Sequence, residues 1–160
     1  MRTVRSSNKT KYCKRCHRKL GIAAFYKKVV YCLVCYHKTT ITNDYRNFKK
    51  KFSSLATVFI AWLTGFYEGE GSLTDIKGKR THNLRITQKE KKPLTIIMKF
   101  LKCGHLLLEQ RKNYVYRYNI TKIGIIAALL TTLLPFMKSR IKSNTAKLFL
   151  KKYYKYYERR

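Results

Sequence analysis

Residues 52–76 hold no Lys or Arg, although the 160-residue chain carries 37 of them against seven Asp or Glu. The same window holds Glu68, Glu70 and Asp75, together with Gly65, Gly69 and Gly71. Its apolar residues Leu55, Val58, Phe59, Trp62, Leu63 and Phe66 recur at helical spacing and predict a helix capped by Ser53 or Ser54. Ala61 and Gly65 stand one turn apart, and small residues at that spacing let another helix backbone approach closely. The later glycines permit the chain to turn out of the helix. In a chain of net charge +30, solubility does not explain two carboxylates two residues apart. A divalent cation between them does: Mg²⁺ takes a few carboxylate oxygens, keeps waters and bridges to phosphate. The alternative is a helix C-terminus with incidental acids.

The charge excludes an ordinary metabolic enzyme and makes a polyanion, nucleic acid first, the expected partner. Hydrophobic residues make up 45% of the chain, enough for a packed core. The length suits one domain with a small appendage. The longest uncharged stretches, 52–67 and 123–137, fall short of the roughly 18–20 apolar residues that span a bilayer, so no membrane partner is expected. The first thirty residues lack an apolar signal core, which predicts a protein that is not secreted. An acid-free start with Arg and Ser, in a chain rich in Lys, Tyr, Ile and Asn, suggests an organelle, mitochondrion or chloroplast.

Four of the five cysteines form Cys13-x-x-Cys16 and, fifteen residues on, Cys32-x-x-Cys35. Two such knuckles can turn four thiolates onto one tetrahedral ion, which predicts structural zinc in a basic module over 1–38. Two disulfides or a single redox pair are the alternatives. So short a segment cannot bury a core of its own, and the ion would supply its folding energy. The knuckles, with Phe25-Tyr26-Lys27 between them, resemble a zinc module of mobile-element nucleases. Lys14, Arg15 and Arg18 are candidate nucleic-acid contacts. Residues 39–52 read as a linker or basic arm, and 53–160 as the main domain.

The run Leu63-Thr-Gly-Phe-Tyr-Glu-Gly-Glu-Gly71, followed by Ser72-Leu73, resembles the signature of the LAGLIDADG homing endonucleases. The resemblance covers about residues 53–152. It implies an α+β fold of order α-β-β-α-β-β-α, with a saddle-shaped antiparallel sheet that straddles duplex DNA. It further implies Glu70 as ligand of catalytic Mg²⁺ with Glu68 near it, and a homodimer through paired motif helices, since one chain carries one motif. Gln88, Lys92 and Arg140 match the pocket that positions water and steadies the phosphate. Each can instead be a generic backbone contact, and Lys138 or Lys142 can stand in for Arg140.

Alternation predicts hairpins over 71–89 and 105–120 and helices over 94–101, 123–134 and 144–157. On the expected DNA-facing side it places Arg85, Arg117 and Asn119, whose side chains can read base edges, together with Gln110. It places Leu106 and Leu108 on that side as well, which suits base reading poorly. The leading expectation is a metal-dependent endonuclease acting on duplex DNA. The alternative is a non-catalytic RNA binder on the same fold, either an intron maturase or an organellar ribosomal component holding rRNA. A zinc-dependent transcription regulator would leave the acidic pair idle. The C-terminal tyrosines either stack on unpaired bases or finish an amphipathic helix.

Overall fold

The computed structural model describes residues 10–25, 31–75, 82–110 and 114–158. The chain forms two compact units, 1–41 and 42–160. The first holds a short antiparallel hairpin, β1 (Thr10–Tyr12) and β2 (Lys19–Gly21), and the start of α1 (Leu33–Ser53). Its core is small: Cys13, Phe25, Cys32 and Cys35, with Leu20, Ala24 and Tyr31 against them.

Residues 39–52, expected as a linker or basic arm, are helical. Within the second unit α1 is held by buried Thr42, Tyr45 and Phe52, a spacing of three and seven residues that places them on one face. Ser53 and Ser54 cap nothing in the next helix. Their hydroxyls donate to the carbonyls of Lys50 and Lys51 and so close α1. Helix α2 (Thr57–Glu70) starts after Ala56 without a side-chain cap.

The second unit continues as β3 (Gly71–Asp75), β4 (His82–Gln88), α3 (Lys91–Leu101), β5 (His105–Gln110), β6 (Tyr114–Ile120), α4 (Ile123–Leu133) and α5 (Arg140–Tyr153). From α2 to α4 this is the expected α-β-β-α-β-β-α order. The last helix begins at Arg140 rather than Asn144, because the Ser139 hydroxyl accepts from the Lys142 N–H at its start. The four strands form one antiparallel sheet in the order β3-β4-β6-β5. The turn of the first hairpin, expected around Gly78, lies outside the described residues.

One face of the sheet, carrying Leu84, Ile86, Tyr118 and Ile120, is buried beneath the helices. Leu94, Ile97 and Leu101 of α3 meet it as the apolar stripe predicts. Helix α4 is buried almost all round, from Gly124 to Leu130 and at Leu133. On α2 the buried residues are Ile60, Leu63, Thr64 and Tyr67, so of the predicted stripe only Leu63 is buried. Val58 is 82% exposed and Trp62 40%. The helix has two apolar stripes, and the one bearing Trp62 and the small residues turns away from the core.

Candidate active site and nucleic-acid interface

Glu70 is the last residue of α2, and Gln88 the last of β4. They are brought together in a shallow hollow of about 480 Å³, lined also by Ala61, Trp62, Gly65, Phe66 and Gly69. Glu70 is exposed and Gln88 half-buried. Glu68 does not join them. Because α2 stays helical through Glu70, a two-residue step turns the side chain to the opposite flank. The Glu68 carboxylate there accepts the backbone N–H of Ser139 at 2.5 Å. Of the two carboxylates expected to share one cation, Glu68 is hydrogen-bonded to the start of α5 and Glu70 lines the hollow.

Lys142 reaches the same end of α2. Its ammonium donates to the Gly71 carbonyl and lies 5.5 Å from the centre of the Tyr67 ring. Burial pushes the Tyr67 phenol up to about 12, so it stays neutral. Lys92, Lys138 and Arg140 are exposed, and among the described residues none has a side-chain contact to Glu70 or Gln88. The Tyr67–Gly71–Lys142 contact was missed from sequence. Gly71 needs its missing side chain, because a Cβ there would sit 2.5 Å from the Tyr67 carbonyl oxygen.

The outer face of the sheet is polar. Across its width Ser72 pairs with Arg85, Arg85 with Asn119, and Asn119 with His105; one step along, Thr87 pairs with Arg117 and Arg117 with Leu107. Arg85, Arg117 and Asn119 thus share one face, as alternation predicts. Leu106 and Leu108 do not share it. They pair with Tyr118 and Tyr116, in the row of the helix-covered side, and the outer-face leucine is Leu107, 46% exposed. Position 110 pairs with Tyr114 and falls in the row of 106 and 108; the Gln110 side chain lies outside the described residues.

Two partners on this face were not foreseen. The Arg117 guanidinium donates to the Glu109 carboxylate in an ion pair. With its amide oriented by its hydrogen bonds, Asn83 accepts from an Arg85 guanidinium nitrogen at 3.2 Å. Among the described residues, Arg85 Nε, Arg117 Nε and Asn119 Oδ1 have no hydrogen-bond partner. Buried polar atoms normally have one, and these three lie beneath the outer surface, where Asn119 is only 9% exposed.

In the first unit the sulfurs of Cys13, Cys16, Cys32 and Cys35 all lie within 4.8 Å of one another, and none is in a disulfide. Cys16 and Cys32 sulfurs are 3.9 Å apart, close to the edge of a tetrahedron with metal–sulfur bonds of about 2.3 Å. Burial pushes Cys13 up, but the backbone N–H groups of Cys32, Cys16 and Arg15 outweigh it and bring the thiol down to about 6. Cys35 is pushed up to about 12 by burial and by the neighbouring sulfurs. Hydrogen bonds from Arg18 lower Cys16. His17 and His37 are exposed and the four sulfurs suffice for a metal ion. Arg15 donates to the Thr39 hydroxyl, and Lys14 is exposed.

No family model and no curated protein matches the sequence. Solved structures do match. The archaeal intron-encoded homing endonuclease I-Vdi141I, complexed with DNA, is 24% identical over 59% of this chain and 65% of that one, with a TM-score of 0.51. The LAGLIDADG meganuclease I-AabMI, bound to uncleaved DNA, is 24% identical over 62% of this chain and 38% of that one, also at 0.51. Meganuclease I-SmaMI, bound to uncleavable DNA, is 19% identical over 57% and 35%, at 0.51. The fold is therefore that of the LAGLIDADG homing endonucleases, with a four-cysteine group near the N-terminus. The chain spans just under two thirds of the archaeal enzyme's length and little more than a third of the other two.

Proposed function

We propose that this protein is a nucleic-acid-binding endonuclease that cleaves phosphodiester bonds of duplex DNA as a homodimer. The observation that carries this reading is Glu70, an exposed carboxylate that shares a hollow with Gln88 and lies in the stretch 52–76, which holds no Lys or Arg. Glu70 suits Mg²⁺, which binds through one or two carboxylates and retains waters. When bound, the ion supplies positive charge against the charge that develops on the phosphate. The chain's own groups do the rest: Gln88 orients water by its amide, and Lys142, Arg140, Lys138 or Lys92 supplies a cation to the phosphate. Arg85, Arg117 and Asn119 take base edges, with Gln110 in the same hairpin. Lys14, Arg15 and Arg18 hold backbone beside a zinc ion on Cys13, Cys16, Cys32 and Cys35.

Two observations support a second copy on α2. Added Cβ atoms at Gly65 and Gly69 would meet nothing within 4 Å, so the monomer has no steric need for these glycines. A copy that carries +30 itself can approach most readily where bases are missing, and 52–76 has none. The matched meganucleases bind DNA on this fold, and the composition suits an organellar setting. The second reading, an RNA-binding maturase or ribosomal component, is favoured by the size of the charge.

The deciding experiment crosslinks the protein to nucleic acid in its own cells, purifies it under denaturing conditions and sequences what remains attached. A narrow set of duplex sites near an intron is expected. Mainly ribosomal or intron RNA, in near-stoichiometric amount, would replace this reading with the second.

A further inference from the structure

The outer sheet face is a poor home for the charge of this chain. Among the described residues of the four strands it carries two bases, Arg85 and Arg117, and the second is paired with Glu109. The helix layer carries far more. Helix α5 and the π-helical turn that follows it, Tyr154–Glu158, present Lys147, Lys151 and Lys155, all exposed. These three stand at four-residue steps on the side away from the buried Ala146, Phe149, Leu150 and Tyr153. Helix α5 contains no acid that would compensate them, and like charges at this spacing repel. Successive ammonium groups are about 6 Å apart along the axis, comparable with the step between phosphates along one strand.

The neighbouring helix extends the ridge. Tyr45 of α1 packs on Tyr153 and Tyr154, and its hydroxyl lies 2.9 Å from that of Tyr154. The Thr42 hydroxyl donates to the Tyr157 carbonyl at 3.2 Å. These contacts hold α1 against this end of the chain with Lys49 5.7 Å from the Tyr45 ring centre, and Arg46 and Lys50 of α1 are exposed as well. Three of the four tail tyrosines are thus spent on packing. The fourth, Tyr156, is 60% exposed with the Lys155 ammonium 6.0 Å from its ring centre.

We propose that this ridge is a second nucleic-acid surface, separate from the sheet, which holds a single strand by its phosphates with one base stacked on Tyr156. A row of lysines that winds slowly round one flank of the helix can follow the phosphates of one flexible strand, which adapts to it where a stiff duplex does not. A lone exposed aromatic among bases is the stacking element of sequence-tolerant single-strand sites. The proposal stands whether or not Glu70 cuts.

The test uses the full chain, with fluorescence anisotropy on labelled twelve-nucleotide oligouridylate and oligothymidylate and on a 25-base-pair duplex, each across a salt series. The triple variant K147Q/K151Q/K155Q should bind single strands at least tenfold more weakly, with a salt slope shallower by about two, and duplex within about twofold of the parent. Arg85→Ala with Arg117→Ala should show the reverse preference. Loss on both oligonucleotides supports a backbone site indifferent to the sugar; loss on oligouridylate alone supports an RNA site. Unchanged single-strand binding by the triple variant would overturn the proposal, as would equal loss on the duplex. Tyr156→Ala with an undiminished triple-lysine site would overturn the stacking part if affinity stays within twofold.

Discussion

On a helix a step of two residues turns the side chain by about 200°, and Glu68 and Glu70 leave α2 on opposite flanks for that reason. Each therefore has its own expected phenotype. Glu70→Gln should abolish cleavage of a target duplex in Mg²⁺ while affinity stays within about threefold, because the exposed Glu70 side chain makes no hydrogen bond among the described residues and is spared by the fold; cleavage at the parent rate would remove Glu70 from the chemistry. Glu68→Ala should leave the Ser139 N–H without its charged acceptor and cost about 1–2 kcal/mol in urea unfolding. At Glu70 the same change should stay within about 0.5 kcal/mol. The pairing of acids with glycines was legible in the sequence. Their separate employment was not, since it depends on where α2 ends and on Ser139, 71 residues beyond Glu68, reaching one flank.

At the scale of elements, the α2 pattern shows why periodicity alone misjudges a face. Ile60, Leu63 and Tyr67 form one apolar stripe and Trp62 and Phe66 another, so both sides of the helix satisfy a helical repeat. The core chooses the first because Thr64 and Tyr67 pack there, leaving Ala61, Gly65 and Gly69 outward. Gly65→Ala should then raise monomer stability by up to about 1 kcal/mol, the ordinary gain of Ala over Gly in a helix, and weaken self-association in sedimentation by tenfold or more. Gly71→Ala should do the opposite and destabilise the fold, since its Cβ would collide with Tyr67. A Gly65→Ala dimer as tight as the parent would mean that α2 is not the contact. The hairpin error has a similarly physical source. Residue 110 pairs with 114 across three residues, so even positions of β5 face even positions of β6; a loop one residue longer or shorter would have put Leu106 and Leu108 on the Arg117 side. Strands, order and the α3 stripe follow from local pattern, whereas parity across a turn follows from a loop length that the pattern leaves open.

Over the whole molecule, two forces act with opposite responses to the solvent. The first unit has a core of three buried cysteines and Phe25, with Cys16 half-buried against them, too little apolar area to fold on its own. A strong chelator should therefore melt it, with one zinc released per chain and proteolysis confined to residues 1–41, while 42–160 keeps its core; Cys13→Ser with Cys16→Ser should do the same. Four thiols must lose protons to bind metal, and Cys35 is held up to about 12, so zinc affinity should rise with pH and fall on acidification as protons reclaim the sulfurs. Electrostatics governs the rest. A chain of +30 repels its own copy, and added salt screens that repulsion. The same salt weakens nucleic-acid binding, because each counterion released at a phosphate contact gains less entropy as the bulk concentration rises. Between about 0.1 and 0.5 M salt, homodimerisation by sedimentation should therefore strengthen while duplex affinity falls by orders of magnitude. If both fall together, the copies are joined by nucleic acid rather than by α2, and the apolar, base-free face of that helix is not the seam. If dimerisation strengthens as duplex binding fails, nucleic acid does not join the copies, and the base-free face of α2 stands as their meeting surface.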